Sequence, residues 1–284
     1  MSIRVDRGSF VPGTEPTLAD ALAHAARPLI GMWVCSGSPL VAEICAGSGV
    51  DWLLIDAEHS PNGLEAILAQ LQAVAAYPVS PLVRVPVGDT VLIKQFLDLG
   101  AKNLLVPMVD TAAQAAQAVA ATRYPPEGVR GVGAALARAS RWNRVDDYLA
   151  RAGSLVSLFV QIETASAVKN VAEIAAVDGV SGLFIGPSDL AASMGVLGQQ
   201  EHPEVVAAVE HCIRVAKQAG KPVGVNAFAP ATADRYLAAG ADFVSVGADV
   251  ALLARSSEAL AARYLPAPDA DADADATDDG RASY

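Results

Sequence analysis

The sequence predicts one (β/α)8 TIM barrel, and three observations favour this fold class. Eight short apolar runs alternate with alanine-rich amphipathic stretches. The runs are mostly apolar on both faces, as in parallel strands that are covered on both sides. The alternation spans about 235 residues with no Gly/Ser linker inside it, which fits one closed barrel better than two domains. We therefore expect a single barrel domain at 18–265, an N-terminal extension at 1–17 and a tail at 266–284.

The predicted strands are short runs in which apolar residues dominate. In chain order they are Leu29–Trp33, Trp52–Ile55, Leu82–Val85, Asn103–Val106, Val156–Ile162, Gly182–Ile185, Pro222–Val225 and Phe243–Val246.

Helices are predicted between the strands, and three have recognisable ends: Asp89–Leu99, Glu163–Val177 and Pro203–Ala219. An Asp or a Pro begins the first and the third, and a Gly follows each helix within two residues, as is typical of helix termini. The segment 131–144 fits this scheme less well, because small residues give way to basic and aromatic ones. We expect it to form a loop or a short helix over the mouth of the barrel.

Composition and charge narrow the function. Hydrophobic residues make up 52% of the 284 residues, which excludes a disordered chain, and the net charge is −11. Nucleic acid and anionic membrane are poor partners for such a surface, because phosphate binding needs a basic face. The tail holds six Asp and one Arg, so we expect it to be disordered. With three cysteines, no CxxC motif and no signal-peptide pattern, a reduced cytoplasmic compartment is indicated.

Polar side chains collect where the predicted strands end, which is where the catalytic face of such a barrel lies. Asp56, Glu58 and His59 follow the second strand, and Asn226 follows the seventh. A lone histidine is often structural, but the strand-end position and the nearby carboxylates favour a general base at His59.

A second group of polar residues predicts a metal site. Gln161 and Glu163 are two positions apart, so both point to the same side of the fifth strand. Asp189 follows the sixth strand, and two carboxylates at one site repel each other unless a proton or a cation separates them. The all-oxygen set suits Mg²⁺ or Mn²⁺, with Co²⁺ as a further candidate. The alternative is a helix N-cap for Asp189 and a buried pair for Glu163.

Arg84 lies in an inward-facing strand and needs an anionic partner, either a structural carboxylate or a substrate oxyanion. The residues from Gly186 to Asp189 open a short helix whose free N–H groups attract an anion such as a carboxylate. None of the five lysines ends a predicted strand, which argues against a Schiff-base enzyme. We expect no organic cofactor.

Five segments resemble the HpcH/HpaI family of class II pyruvate aldolases: Gly31–Pro61, Leu104–Val109, Arg123–Gly133, Val160–Thr164 and Gly186–Gly195. They fall in order and at the expected spacing over about 18–265, so the resemblance is more specific than any single motif. A further segment, Ala135–Arg144, is similar to the members that cleave 4-hydroxy-2-oxoheptanedioate.

The resemblance implies a role for each matching residue. Glu163 and Asp189 would hold the divalent cation, and Gln161 would lie close to the bound keto acid. Arg84 would stabilise an enolate, and His59 would be the base that acts on the aldol hydroxyl.

The resemblance also implies supporting groups and an assembly. Asp56 and Asp98 would support the base, with Asp98 reaching in from a neighbouring subunit. The backbone of Ser188 and Asp189 would receive the keto-acid carboxylate. Members form homo-hexamers built from trimers, so a homo-oligomer is implied.

The reaction that this predicts is a reversible, metal-dependent retro-aldol cleavage of 4-hydroxy-2-oxo acids to pyruvate and an aldehyde. The substrate most favoured is 4-hydroxy-2-oxoheptanedioate, which gives succinic semialdehyde during aromatic catabolism; its distal carboxylate would need a cation such as Arg138 or Arg141. The rivals are an aldolase for 2-keto-3-deoxy sugar acids (deoxyglucarate or deoxyrhamnonate), a citryl-CoA-type lyase and a non-catalytic keto-acid sensor.

Overall fold

The eight predicted strands are present, and they close into one parallel barrel in the order β1 to β8. The computed structural model of the chain describes residues 15–265. The strands are β1 Leu29–Val34, β2 Trp52–Asp56, β3 Ser80–Arg84, β4 Asn103–Val106, β5 Ser157–Ile162, β6 Gly182–Ile185, β7 Val223–Asn226 and β8 Phe243–Ala248. Their bounds differ from the predicted ones by at most two residues, and the predicted TIM barrel is confirmed.

Helices connect consecutive strands and cover the outside of the barrel. They are α1 Leu18–His24, α2 Pro39–Ala46, α3 Leu64–Ala73, α4 Thr90–Asp98, α5 Ala112–Thr122, α6 Tyr148–Arg151, α7 Ala165–Lys169, α8 Val171–Ala175, α9 Pro187–Ser193, α10 Pro203–Gln218, α11 Pro230–Ala238 and α12 Asp249–Tyr264. Short 3₁₀ turns lie at Val74–Ala76, Ala134–Leu136, Arg138–Ser140 and Ala152–Leu155. Asp89 caps α4 as predicted, because its side chain accepts the N–H groups of Val91 and Leu92.

Aromatic rings fill the interior of the barrel below the mouth. The rings of Trp52 and Phe243 lie 5.4 Å apart, edge to face, and Phe159 packs on the other side of Phe243 at 5.5 Å. Two glycines make room for them, since a Cβ at Gly31 would lie 2.3 Å from Trp52 and one at Gly224 would lie 2.4 Å from Phe243. This packed layer is the floor on which the polar residues at the strand ends rest.

The prediction of one continuous helix over Glu163–Val177 is wrong. The segment forms two helices, α7 and α8, which meet at Asn170. The side-chain amide of Asn170 donates to the backbone carbonyl of Asp110 at 2.8 Å, which ties this residue to the loop after β4. Asparagine readily leaves the helical pattern when such a side-chain bond is offered.

The prediction that the segment 131–144 lies over the mouth is also wrong. Arg138 donates to the carbonyl of Leu99 at 3.0 Å, and Arg141 lies 4.0 Å from the carboxylate of Glu15. Leu99 follows α4, and Glu15 also pairs with Lys102, which immediately precedes β4. The segment follows α5, and a helix that follows a barrel strand returns the chain to the N-terminal ends of the strands. Arg138 and Arg141 are therefore at the end opposite the mouth of their own barrel.

Helix α12 leaves the barrel rather than covering it. Asp249, its first residue, is buried, whereas 255–265 are all exposed. Its apolar side chains are exposed too, with Leu253 at 66% and Leu260 at 61%. An amphipathic helix with an uncovered apolar face lacks the packing partner that such helices ordinarily have.

The limits of the barrel domain at 18 and 265 stay a prediction. Helix α1 begins at Leu18, whose backbone N–H donates to the Asn103 side chain at 2.7 Å, so it is bonded to β4. The acidic tail 266–284 lies outside the described residues. Between residues 15 and 265, no helix combines the length and apolar character that crossing a bilayer requires.

Candidate active site

The predicted polar residues surround a cavity at the C-terminal ends of the strands. This mouth cavity has a volume of about 470 Å³. Its polar lining residues are Asp56, His59, Arg84, Gln161, Ser188, Asp189 and Asn226, and its apolar ones include Trp33, Leu197, Phe228 and Val250. A cavity of this size with a few convergent polar groups is typical of a small-molecule site.

Arg84 is the cation at the floor of the mouth cavity, and it is 3% exposed. It stands opposite Asp56 in the β2–β3 register, and its Nε donates to Asp56 Oδ1 at 2.8 Å. Its Nη1 lies 2.7 Å from Glu58 Oε2, and its guanidinium lies 4.4 Å from the ring centre of Trp33. Structural carboxylates therefore hold Nε and Nη1, whereas Nη2 has no hydrogen bond or ion pair with the described residues and is left for a ligand.

Asp56 organises the loop that follows β2. Its carboxylate accepts the backbone N–H groups of Glu58 at 3.0 Å and His59 at 3.2 Å, and the Ser60 hydroxyl at 3.1 Å. Burial acts to raise the pKa of Asp56, but the hydrogen bond and the charge of Arg84 outweigh it and lower the pKa. Asp56 is thus a charged anchor for the loop and for Arg84.

His59 projects into the cavity from this loop, with 68% of its side chain exposed. The carboxylate near its imidazole is that of Glu58, whose Oε1 lies 3.9 Å from Nε2. Burial raises the pKa of Glu58, and Arg84 opposes the shift. The expectation that Asp56 supports the imidazole needs correction, because Asp56 bonds the backbone N–H of His59 and not its ring.

Glu163 is a buried carboxylate at the end of β5. It accepts the backbone N–H of Met108 at 2.7 Å and the side-chain amide of Gln161 at 2.5 Å. Burial raises the pKa of Glu163 to about 7, and the charges of Asp189 and Glu58 act in the same direction, while Arg84 opposes them only in part. Two negative groups therefore share one poorly hydrated region, which is the condition under which a cation binds.

The residues present fit a hard divalent cation. No group of three His, Cys, Asp or Glu side chains within 15–265 is arranged around one point. Mg²⁺ sites in proteins nevertheless commonly use one or two carboxylates and leave the other positions to substrate oxygens and water. Glu163 and Asp189 are two such carboxylates. A Cβ at Gly186 would lie 2.8 Å from both the Glu163 carboxylate and the Gln161 amide, so glycine there keeps this corner open.

The helix α9 begins beside this corner. Gly186 is its N-cap residue and makes no side-chain capping bond, while Ser188 and Asp189 lie in its first turn. Asp189 is therefore not the N-cap, and the capping alternative for it is wrong. All five lysines lie within the described residues, and none lines the mouth cavity.

Comparison with known proteins identifies the family. The model of the HpcH/HpaI aldolase/citrate lyase family matches residues 29–256, which is most of the chain. The chain belongs to this family. The enzyme class predicted from the sequence, a class II aldolase, is confirmed by this match and by its relatives.

Two curated relatives are each 56% identical to this HpcH/HpaI family chain. One is the hydroxypyruvate/pyruvate aldolase of Deinococcus radiodurans, aligned over 87% of this chain and 90% of that protein. The other is the 4-hydroxy-2-oxo-heptane-1,7-dioate aldolase of Salmonella dublin, aligned over 86% of this chain and 93% of that protein.

Solved structures of the family share the same barrel. A HpcH/HpaI aldolase/citrate lyase family protein from Burkholderia cenocepacia J2315 is 42% identical with a TM-score of 0.82, over 86% of this chain and 96% of that one. A HpcH/HpaI aldolase from Desulfitobacterium hafniense DCB-2 is 28% identical with a TM-score of 0.78, over 88% and 98%.

Asp98 is the one predicted site residue of this aldolase-family chain that lies away from the mouth. It ends α4, and its carboxylate lies 2.7 Å from Nη2 of Arg130, a fully buried arginine. The ring of Tyr124 lies 4.7 Å from the same guanidinium. A role for Asp98 in catalysis therefore depends on a neighbouring subunit, as the resemblance implied.

Two features of the site were missed by the sequence reasoning. Glu58 was noted at the mouth but not as the second partner of Arg84; the signal was that a buried guanidinium needs more than one anionic oxygen. Asp249 was not noted at all. Its carboxylate accepts the backbone N–H groups of Cys35 at 2.8 Å and Ser36 at 3.0 Å, which joins the start of α12 to the loop after β1.

Proposed function

We propose that the chain catalyses the reversible retro-aldol cleavage of 4-hydroxy-2-oxo acids to pyruvate and an aldehyde, with a divalent cation held by Glu163 and Asp189. The observation that carries the proposal is the pairing of a buried carboxylate, Glu163, with a buried guanidinium, Arg84, at one cavity. Like-charged Asp189 favours a bound cation there, and the absence of lysine from the lining residues of the described chain disfavours a Schiff base.

Mg²⁺ and Mn²⁺ suit this all-oxygen donor set, with Co²⁺ as a further candidate. When bound, such a cation acts as a Lewis acid that polarises the carbonyl of a 2-oxo acid. Gln161 orients the Glu163 carboxylate through their hydrogen bond. The first turn of α9 presents the N–H groups of Ser188 and Asp189, which suit a substrate carboxylate.

Proton transfer falls to His59, whose imidazole is exposed to the cavity. It takes the proton from the C4 hydroxyl, the C4–oxygen bond becomes a carbonyl, and the C3–C4 bond breaks. The electron pair of that bond passes to C3 and the C2 oxygen as an enolate, which Nη2 of Arg84 is free to bind. Protonation at C3 then gives pyruvate. Such electrostatic stabilisation is commonly the largest catalytic contribution.

Two substrates follow from the relatives. We propose 4-hydroxy-2-oxoheptanedioate on the name of one, with succinic semialdehyde as the product, and addition of hydroxypyruvate or pyruvate to aldehydes on the name of the other. Within the described chain, Arg84 is the only Lys or Arg that lines the mouth cavity. The expected contact of a distal carboxylate with Arg138 or Arg141 therefore does not occur within one subunit.

We further propose that the chain works as a homo-oligomer, with the hexamer implied by the resemblance as the expected size. The exposed leucines of α12 support this. Light scattering of the wild-type chain and of Leu253→Asp/Leu260→Asp tests it, since the double variant should be smaller. The role of Asp98 is tested by mixing inactive His59→Ala and Asp98→Asn subunits, because activity returns on mixing only if one site draws on two chains.

A cytoplasmic location is part of the same proposal. Cys35, Cys45 and Cys212 are all free, and the last two are buried, as suits a reducing compartment. Fractionation of the native host with an antibody against the chain tests this, and recovery outside the cytoplasm would contradict it.

The decisive experiment removes and restores the metal. After treatment with EDTA, cleavage of 4-hydroxy-2-oxoheptanedioate should be lost and should return on addition of Mg²⁺ or Mn²⁺. The wild-type chain should also exchange the methyl protons of pyruvate, followed by NMR, which a keto-acid sensor would not do. Full activity in EDTA would sink the metal-dependent mechanism.

A further inference from the structure

A second cavity adjoins the mouth cavity. It has a volume of about 510 Å³ and lies between the 198–203 segment before α10 and the helix α11. We call it the side cavity. Three residues line both cavities, namely Ser188, Asn226 and Phe228, so a ligand chain that leaves the mouth past them enters the side cavity.

The side cavity contains a hydroxyl group without a partner. Tyr236 on α11 is completely buried and lines the side cavity, and its hydroxyl makes no hydrogen bond within the described chain. Burial raises the pKa of this tyrosine to about 12, so it stays a hydrogen-bond donor. Buried polar groups are nearly always satisfied, and one that is not calls for a water or a ligand.

Asn226, at the junction of the two cavities, repeats this pattern. It ends β7 and stands opposite Ser245 in the β7–β8 register. Its Oδ1 and the Ser245 hydroxyl are both buried without a hydrogen-bond partner. An amide offers a donor and an acceptor, which matches a hydroxyl group better than a methylene or a carboxylate.

The charge of the side cavity selects against an anion. Its lining contains no Lys or Arg among the described residues, and it includes Glu201, which accepts a hydrogen bond from the hydroxyl of Thr232. The side-chain amides of Gln199 and Gln200 also line it. A carboxylate placed here would lack a counter-charge and would meet one of its own sign.

We propose that the side cavity holds the uncharged, hydroxylated chain of the aldehyde, and that Asn226 and Tyr236 are specificity-determining residues that hydrogen-bond its hydroxyl groups. This rests on the proposed function, since it concerns the aldehyde half of the same reaction. It predicts a preference for hydroxyaldehydes over apolar aldehydes and over those that end in a carboxylate.

The test compares two four-carbon aldehydes, erythrose and butanal, in addition to pyruvate with Mn²⁺ present. For each variant the readout is the ratio of kcat/KM for erythrose to that for butanal. Tyr236→Phe should lower this ratio about three- to tenfold, the usual worth of one hydrogen bond between uncharged groups. Asn226→Leu should lower it at least as much.

The matched control is Tyr124→Phe. Tyr124 is also a buried tyrosine whose hydroxyl has no hydrogen-bond partner, but it lines neither cavity. It should leave the ratio unchanged. An unchanged ratio in Tyr236→Phe and Asn226→Leu would overturn the inference, and so would an effect that follows the donor, hydroxypyruvate against pyruvate, with every aldehyde. Proton exchange into pyruvate by the wild-type chain separates the two failures, because its absence would reject the proposed function itself.

Discussion

Arg84 and Asp56 form a buried ion pair between adjacent strands, with Nε of the arginine 2.8 Å from Oδ1 of the aspartate. The two side chains are 4% and 2% exposed, and the residues face each other in the β2–β3 register. Neither charge has water to replace its partner. The pair therefore serves folding and the site at once, because it fixes the guanidinium under the mouth cavity.

Removing the aspartate should destabilise the chain strongly. In Asp56→Ala the Arg84 guanidinium keeps only Glu58, and the N–H groups of Glu58 and His59 lose their acceptor. We expect a loss of about 3–5 kcal/mol, as is typical when one partner of a buried pair is removed. Thermal unfolding and urea titration measure it.

The matched control is Asp178→Ala. Asp178 is 96% exposed and lies 3.4 Å from Arg123, so its loss should change stability by less than about 0.5 kcal/mol. Equal effects of the two variants would contradict the importance assigned to the buried pair.

Arg84→Lys should separate charge from geometry. Lysine keeps the charge but has no planar fork, so it cannot hold Asp56 and Glu58 and still direct a third nitrogen at the substrate. We expect kcat to fall about 10²–10³-fold, as for loss of one oxyanion donor. Arg123→Lys, at the surface, should be unaffected in the same assay. A kcat for Arg84→Lys within twofold of the wild type would remove Arg84 from the mechanism.

Glu163→Gln should weaken metal binding and stabilise the metal-free chain. The amide keeps the shape and an acceptor for Met108, but it removes a buried charge whose pKa is raised to about 7. In EDTA at pH 8 the gain should be about 2 kcal/mol, since each unit of pKa shift corresponds to about 1.4 kcal/mol. Calorimetric titration with Mn²⁺ should show affinity reduced more than about tenfold. Glu173→Gln, on the exposed side of α8, is the control for both measurements, and unchanged Mn²⁺ affinity in Glu163→Gln would argue against this carboxylate as a ligand.

Asp51 gives a prediction for acid stability. It accepts the N–H of Ile30 at 2.8 Å and both Nη groups of Arg27 at 2.7 and 2.9 Å. The hydrogen bond from Arg27 lowers the pKa of Asp51 in the folded chain. A lowered folded pKa adds stability above the unfolded pKa, and this contribution is lost as the pH falls through the folded pKa.

Asp51→Asn should therefore be less stable than the wild type at pH 7, by about 1 kcal/mol because Arg27 is largely exposed. The difference should shrink as the pH falls from about 4 towards 2. Melting temperatures across this range measure it, with Asp234→Asn as the exposed control. A difference that grew on acidification would show that the sign is wrong.

Much of the fold was predictable because its signals are local. Strands β4 and β6 were predicted to the residue, and the cap at Asp89 was identified, since a short apolar run and a capping side chain act on their own neighbours. The Glu163–Val177 helix was misjudged because Asn170 bonds Asp110, which lies 60 positions earlier in the chain. Helical periodicity carries no record of such a contact.

The sequence by itself determined the eight strands, the barrel and the set of polar residues at its mouth, because strand period and strand ends are written in neighbouring residues. Only the tertiary structure decided which of these residues meet. Closure of the barrel set Arg84 against Asp56 and Glu58, put Arg138 at the opposite end, and joined Asp249 to Cys35 across 214 positions. It also left α12 uncovered and opened the side cavity beside Asn226. These relationships depend on strand register and on the direction of each connection, which fix distances between residues that the linear order keeps apart.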